Sequence, residues 1–142
     1  MTFRLLFVFL LSVVPLCAEA AKAGPRGGRL LDTTPLKTEF VVGVDRHLEL
    51  ITYDAAMTAA PAGGQVFTVV AEPASGKSTV ALEKTVNGFR SAAPLPLGDP
   101  YRVVVQARSA EGAPPKNFRV ELNLTTCAEC NHPEYACTCE DH

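Results

Sequence analysis

Between positions 38 and 125 the chain arranges its apolar residues in short runs, and nowhere does a spacing of three and four last for the length of a helix. Seven runs, 38–44, 47–53, 65–71, 79–84, 89–92, 101–108 and 118–125, predict β-strands. The last has the cleanest phase. Phe118, Val120, Leu122 and Leu124 fall on one face and Arg119, Glu121 and Asn123 on the other, as in a strand half buried on a sandwich. Val103, Val104 and Val105 form an unbroken apolar triplet, expected of a strand placed centrally or covered on both faces. Turn residues separate the runs: Asp45-Arg46, Pro61 to Gly64, Gly76, Asn87-Gly88 and Gly112 to Pro115. Seven strands within about a hundred residues predict an all-β sandwich.

Leu95, Gly98 and Tyr101 support this from another direction. A leucine six residues and a glycine three residues before a tyrosine that opens a strand resembles the tyrosine corner of fibronectin type III and immunoglobulin-like sandwiches. The resemblance implies that the phenol tucks under the turn and bonds to upstream backbone. The chain has no tryptophan and no cysteine pair spaced to bridge two sheets, so an antibody-type core is excluded. The expected fold is an immunoglobulin/fibronectin-III-like sandwich of about seven strands over 29–126. A domain of that size commonly folds alone, so nothing after it is required as a staple.

The first twenty residues have a different character. Arg4, an apolar run over 5–16 and Ala18-Glu19-Ala20 make a secretory signal peptide with cleavage expected after Ala20. The run is too short to span a bilayer, and no second apolar stretch follows, so no transmembrane anchor is expected. Cys17 ends the run, but Leu16 before it is not small, so lipidation is disfavoured and Cys17 leaves with the leader. The product is expected to be periplasmic or secreted. Residues 21–28, rich in Gly, Ala, Lys and Pro without a period, read as a flexible lead-in. Arg4 and Glu19 cancel, so the exported chain keeps the net charge of -2, and without a basic face a nucleic-acid partner is not expected.

The segment 127–142 has no hydrophobic period, yet it holds four of the five cysteines and two of the three histidines. Cys127 and Cys130 can reach one ion from a tight turn, Cys137 and Cys139 supply a second pair, and His132 and His142 lie a few residues beyond each pair. Four thiolates suit tetrahedral Zn(II), and soft sulfur in surplus equally suits Cu(I). The tight Cys-x-Cys of the second pair leans toward copper or a looser binder. Pro133 and Tyr135 would shape the loop between the pairs. In an oxidising compartment the bland reading is two disulfides, which would make the chain a disulfide-stapled module for protein–protein interaction in the cell envelope. Redox chemistry is weakest, because a reactive thiol is expected near positive charge and this tail is acidic.

Ala23 to Leu31, with Pro25-Arg26-Gly27-Gly28 at its centre, then Glu39-Phe40-Val41 and the run from His47 to Asp54, resembles the small β-sandwich domain of periplasmic adaptor subunits of heavy-metal efflux pumps. The chain lacks the coiled-coil and barrel segments of those adaptors, so it is not itself an adaptor. The resemblance implies a periplasmic accessory domain for metal handling, with a component of a heavy-metal efflux system as the expected partner.

Other motifs carry less. Gly76-Lys77-Ser78 looks like the end of a phosphate-binding loop, but Ala71 stands where the first glycine belongs and Pro73 sits inside, so a β-turn is expected. Asn123-Leu124-Thr125 is a glycosylation sequon that the phase places within a strand, and His47 reads as a solvated polar residue. No nucleophile with a base, and no pair of acids, stands out, so no enzyme is expected.

Overall fold

The structure is a computed structural model, and it describes residues 21–139; the leader with Cys17, and residues 140–142 with the candidate ligand His142, lie outside the described residues. Ten strands are present: β1 (Lys22–Ala23), β2 (Arg29–Leu31), β3 (Lys37–Val42), β4 (Leu48–Tyr53), β5 (Val66–Glu72), β6 (Ser78–Val80), β7 (Leu82–Thr85), β8 (Gly88–Ser91), β9 (Tyr101–Arg108) and β10 (Lys116–Leu122). They form two antiparallel sheets, β1-β2-β3-β4-β8-β7 and β10-β9-β5-β6. Without the β1–β2 hairpin, the orders β3-β4-β8-β7 and β10-β9-β5-β6 follow the immunoglobulin arrangement, in which A-B-E-D faces G-F-C with an added edge strand.

Alternation builds the core. Leu31, Phe40, Leu48 and Leu50 from one sheet meet Phe67, Val69, Val103, Val105, Val120 and Leu122 from the other, all buried. On β9, Tyr101, Val103, Val105 and Ala107 are buried while Val104 is only half-buried. The valine triplet therefore marks a central strand, between β10 and β5, covered on one face. The corner expected at Tyr101 is present: its hydroxyl donates to the Pro96 carbonyl at 2.7 Å over a buried Leu95.

Three expectations change. First, the run 79–84 is two strands. β6 pairs with β5 in one sheet and β7 with β8 in the other. Ala81 between them accepts a hydrogen bond from the Ala92 amide, and the chain changes sheets there, as corner strands do.

Second, 21–28 is not a flexible lead-in. Lys22 pairs with Leu30 and Ala23 with Arg29, and the turn between them wraps the carboxylate of Glu39. Glu39 is fully buried on the face of β3 opposite Phe40 and accepts from the Arg26 amide at 2.9 Å, the Gly28 amide at 2.8 Å and the Tyr53 hydroxyl at 2.7 Å. A carboxylate out of water is tolerated only with donors arranged this way. Burial, reinforced by the Glu39 bond, pushes the Tyr53 phenol well above its ordinary pKa. The glycines are steric requirements, since a Cβ at Gly24 would fall 2.3 Å from the Glu39 Cδ and one at Gly28 would fall 2.3 Å from the Phe40 carbonyl oxygen.

Third, His47 is half-buried, not solvated, with Nδ1 2.8 Å from the Ser91 carbonyl oxygen. The remaining boundaries differ by at most three residues. β10 stops at Leu122, so the sequon at Asn123 follows the strand instead of lying in it. Gly76-Lys77-Ser78 belongs to the turn from β5 to β6, where the Gly76 amide bonds the Pro73 carbonyl.

Candidate metal centre

Past β10 the chain doubles back at once. Thr126 bridges Pro133, the Cys127 amide donates to the His132 carbonyl at 2.8 Å, and the Asn131 amide donates to the Cys127 carbonyl at 3.0 Å. These bonds close a knuckle over 127–132. Its tightest point needs a left-handed residue, and Asn131 takes φ 59, a conformation asparagine tolerates better than most. The knuckle aims amides at sulfur: the His132 and Thr138 N–H groups bond Cys130 Sγ, and these bonds hold its thiol below the ordinary cysteine range.

A 3₁₀ turn, Glu134–Ala136, then reverses the chain. The Glu134 amide donates to the Thr125 carbonyl at 2.8 Å and the Tyr135 amide to the Asn123 carbonyl at 3.2 Å, which tie the turn to the knuckle's base. Cys137 and Cys139 are thereby carried opposite Cys127 and Cys130, and the Cys139 amide donates to Cys137 Sγ at 3.4 Å.

The result is four sulfurs that all lie within 4.8 Å of one another. Cys130 and Cys137 Sγ are 3.6 Å apart, and Cys127 and Cys139 Sγ 3.9 Å. A disulfide would place a pair at about 2.05 Å, so neither close pair is bridged. Four sulfurs tetrahedrally placed about 2.3 Å from one ion would be separated by about 3.8 Å, and the Cys130–Cys137 and Cys127–Cys139 separations bracket that edge. The donor set therefore fits a tetrahedral soft cation. Cys127 and Cys137 are buried, Cys130 and Cys139 partly so.

The thiols are unequal. Hydrogen bonding to Cys137, together with desolvation and the other neighbouring sulfurs, pushes Cys139 far above its ordinary pKa. At Cys137 the Cys139 amide and thiol act downward, but desolvation and the Cys127 and Cys130 thiols outweigh them and the net shift is upward. Sulfurs this close cannot all ionise together unless a cation compensates them.

His132 is not among the clustered donors. Its ring lies over the β1–β2 turn, where a Cβ on Gly27 would come 3.4 Å from Nδ1.

The tail is not a loose appendage either. Tyr135 and Ala136 are buried members of the core cluster. The Tyr135 ring meets Phe40 edge-on with centroids 5.6 Å apart, and its hydroxyl accepts the Val42 amide at 3.1 Å, a β3 donor beyond the reach of β2. Burial raises the phenol's pKa. Tyr135 thus shapes the loop between the cysteine pairs by plugging it into the sandwich. The one signal for this was an aromatic residue placed midway between two polar cysteine pairs.

The molecule is an all-β immunoglobulin-like domain with a docked four-cysteine segment, and among the described residues no helix is long and apolar enough to cross a membrane. In comparisons with known proteins, no family model, curated protein or solved structure matches the chain, so the likeness to efflux-pump adaptors gains no support there.

Proposed function

We propose that the protein is an exported, non-catalytic metal-binding domain in which Cys127, Cys130, Cys137 and Cys139 hold one soft transition-metal ion, with Zn(II) preferred to Cu(I). One observation carries this reading: four sulfurs drawn from both ends of a sixteen-residue segment come within 4.8 Å of one another. Zinc favours a closed set of four thiolates, whereas Cu(I) is content with two or three. Two buried ligands and a tyrosine anchored in the core favour retention of the ion over rapid transfer. A role beside a periplasmic metal-efflux system, which the adaptor likeness implies, then takes the form of a stable accessory domain and not a fast shuttle.

A second reading rests on the same distances. Oxidation in an exporting compartment would join Cys130 to Cys137 and Cys127 to Cys139, the two close pairs, and would make the chain a disulfide-stapled interaction module.

Native mass spectrometry of the protein isolated anaerobically from the envelope separates the two. The metal reading predicts one chelator-removable zinc per chain and four thiols that react after denaturation. A metal-free chain four hydrogens lighter than the reduced mass would overturn it in favour of two disulfides.

A further inference from the structure

Where β2 faces β10 the two sheets leave their edge open, and a cavity of about 330 Å³ lies between them. Its walls include Lys22, Arg29, Leu31, Lys37, Lys116 and Phe118. Arg29 is opposite Phe40 and Leu31 opposite Thr38 in the β2–β3 ladder, so Arg29 shares the inward face of its sheet with buried Leu31 and Phe40. Phe118 lies on the inward face of the other sheet, in phase with buried Val120 and Leu122.

An arginine on the inside of a sandwich needs a counter-charge. Among the described residues Arg29 has none: its side chain makes no ion pair and no hydrogen bond. Burial alone acts on it and lowers its pKa. The surrounding charges deepen the imbalance. Lys22 has no carboxylate within ion-pair reach among the described residues, while Lys37 and Lys116 share one acid, Asp32, at 2.6 and 3.6 Å. Of these, Lys116 is in phase with Phe118 on the inward face of its sheet and so joins Arg29, whereas Lys22 and Lys37, opposite Leu30 and Tyr53 in their ladders, edge the cavity from the outward face. Composition does not produce this clustering, and a desolvated cation without a partner is unfavourable.

Apolar surface completes the site. Phe118 is half-buried with the Lys116 ammonium 5.2 Å from its ring centroid, and Leu31 closes the floor. The volume is at the lower end of the range for small-molecule sites, which are mostly apolar with a few converging polar groups.

We propose that this cavity binds a small organic phosphate, with the phosphate on Arg29 and Lys116 and an apolar body against Phe118. The Arg29 guanidinium fork suits two phosphate oxygens, and Lys116 from the opposite sheet supplies a second cation for a dianion. The site shares no residue with the four sulfurs, so its test stands or falls apart from the metal reading.

The test is calorimetric titration of the full chain with phenyl phosphate, inorganic phosphate and benzyl alcohol as separate probes. Phenyl phosphate is expected to bind saturably at one site per chain, inorganic phosphate about tenfold more weakly for want of the apolar contact, and benzyl alcohol not measurably. Arg29→Met keeps the apolar stem, and it is expected to weaken phenyl phosphate at least about tenfold with an unchanged unfolding midpoint. Arg29→Lys, which keeps the charge but loses the fork, falls between. If Arg29→Met does not fold, Lys116→Met, which lies on the opposite sheet, must reduce the affinity in its place. Equal binding of phenyl phosphate and benzyl alcohol, undiminished binding by a folded Arg29→Met or Lys116→Met variant, or no saturable binding would each overturn the proposal.

Discussion

The sandwich is held by apolar side chains from two sheets, whereas the described segment after Leu122 adds Tyr135 and Ala136 to that core, packs Leu124 against it, and gathers four sulfurs. Burial of Phe40, Leu50, Val105 and their neighbours is indifferent to ions and, over the neutral range, to pH. The sulfur cluster has the opposite character, because its thiols ionise together only around a cation. On the proposed reading, one chain carries a region that folds by excluding water and a region whose order a bound ion would complete. The contrast predicts that perturbations sort by region, with Tyr135 as the residue that belongs to both.

The largest effect is expected inside the sandwich. Phe40→Ala removes a fully buried ring that also supports Tyr135, and it should cost about 3–5 kcal/mol in chemical denaturation whether or not metal is present. A loss below about 1 kcal/mol would mean that the core does not carry the stability. Next comes Cys130→Ser. If the ~10–16 kcal/mol typical of a structural zinc is spread over four ligands, one ligand accounts for about 3–4 kcal/mol, so zinc affinity in a competition assay should fall by two to three orders of magnitude. The unfolding transition of the sandwich should remain cooperative in the same variant; its collapse would erase the distinction between the regions.

Acid should also act on the tail alone. The thiols of Cys137 and Cys139 are raised above their ordinary values, so both are protonated at neutral pH in the metal-free chain and must release protons when the ion binds. Zinc affinity is therefore present at high pH and lost as pH falls, by at least about a hundredfold per unit near neutrality. A flat affinity between about pH 8 and 6 would speak against cysteine ligation. The smallest effect tests the link between regions. Tyr135→Phe keeps the ring on Phe40 but leaves the Val42 amide without its acceptor, which should cost about 1–2 kcal/mol and speed hydrogen exchange at Val42. No change in that amide would mean that the tyrosine docks through its ring alone.

The parts legible from the sequence are those whose physics is local. A period of two placed β10, an unbroken apolar run placed β9, the spacing from Leu95 to Tyr101 announced the corner, and the density of cysteines singled out the four sulfurs that cluster. What stayed hidden depends on partners far along the chain. Gly24 to Gly28 has the composition of a linker and becomes a turn only because Glu39, more than ten residues on, supplies a carboxylate for its amides. The break at Ala81 is invisible in a run with no alternation to interrupt. Tyr135 finds Phe40 and Val42 more than ninety residues away, and His132 beside cysteines at ligand spacing gives no hint that its ring lies over Gly27.

Zinc K-edge X-ray absorption of the metal-loaded protein tests the central claim most directly. Four thiolates around one ion predict a single shell of four sulfurs at about 2.3 Å with no nitrogen or oxygen neighbour. A shell that includes an imidazole nitrogen, or fewer than four sulfurs, would contradict the account.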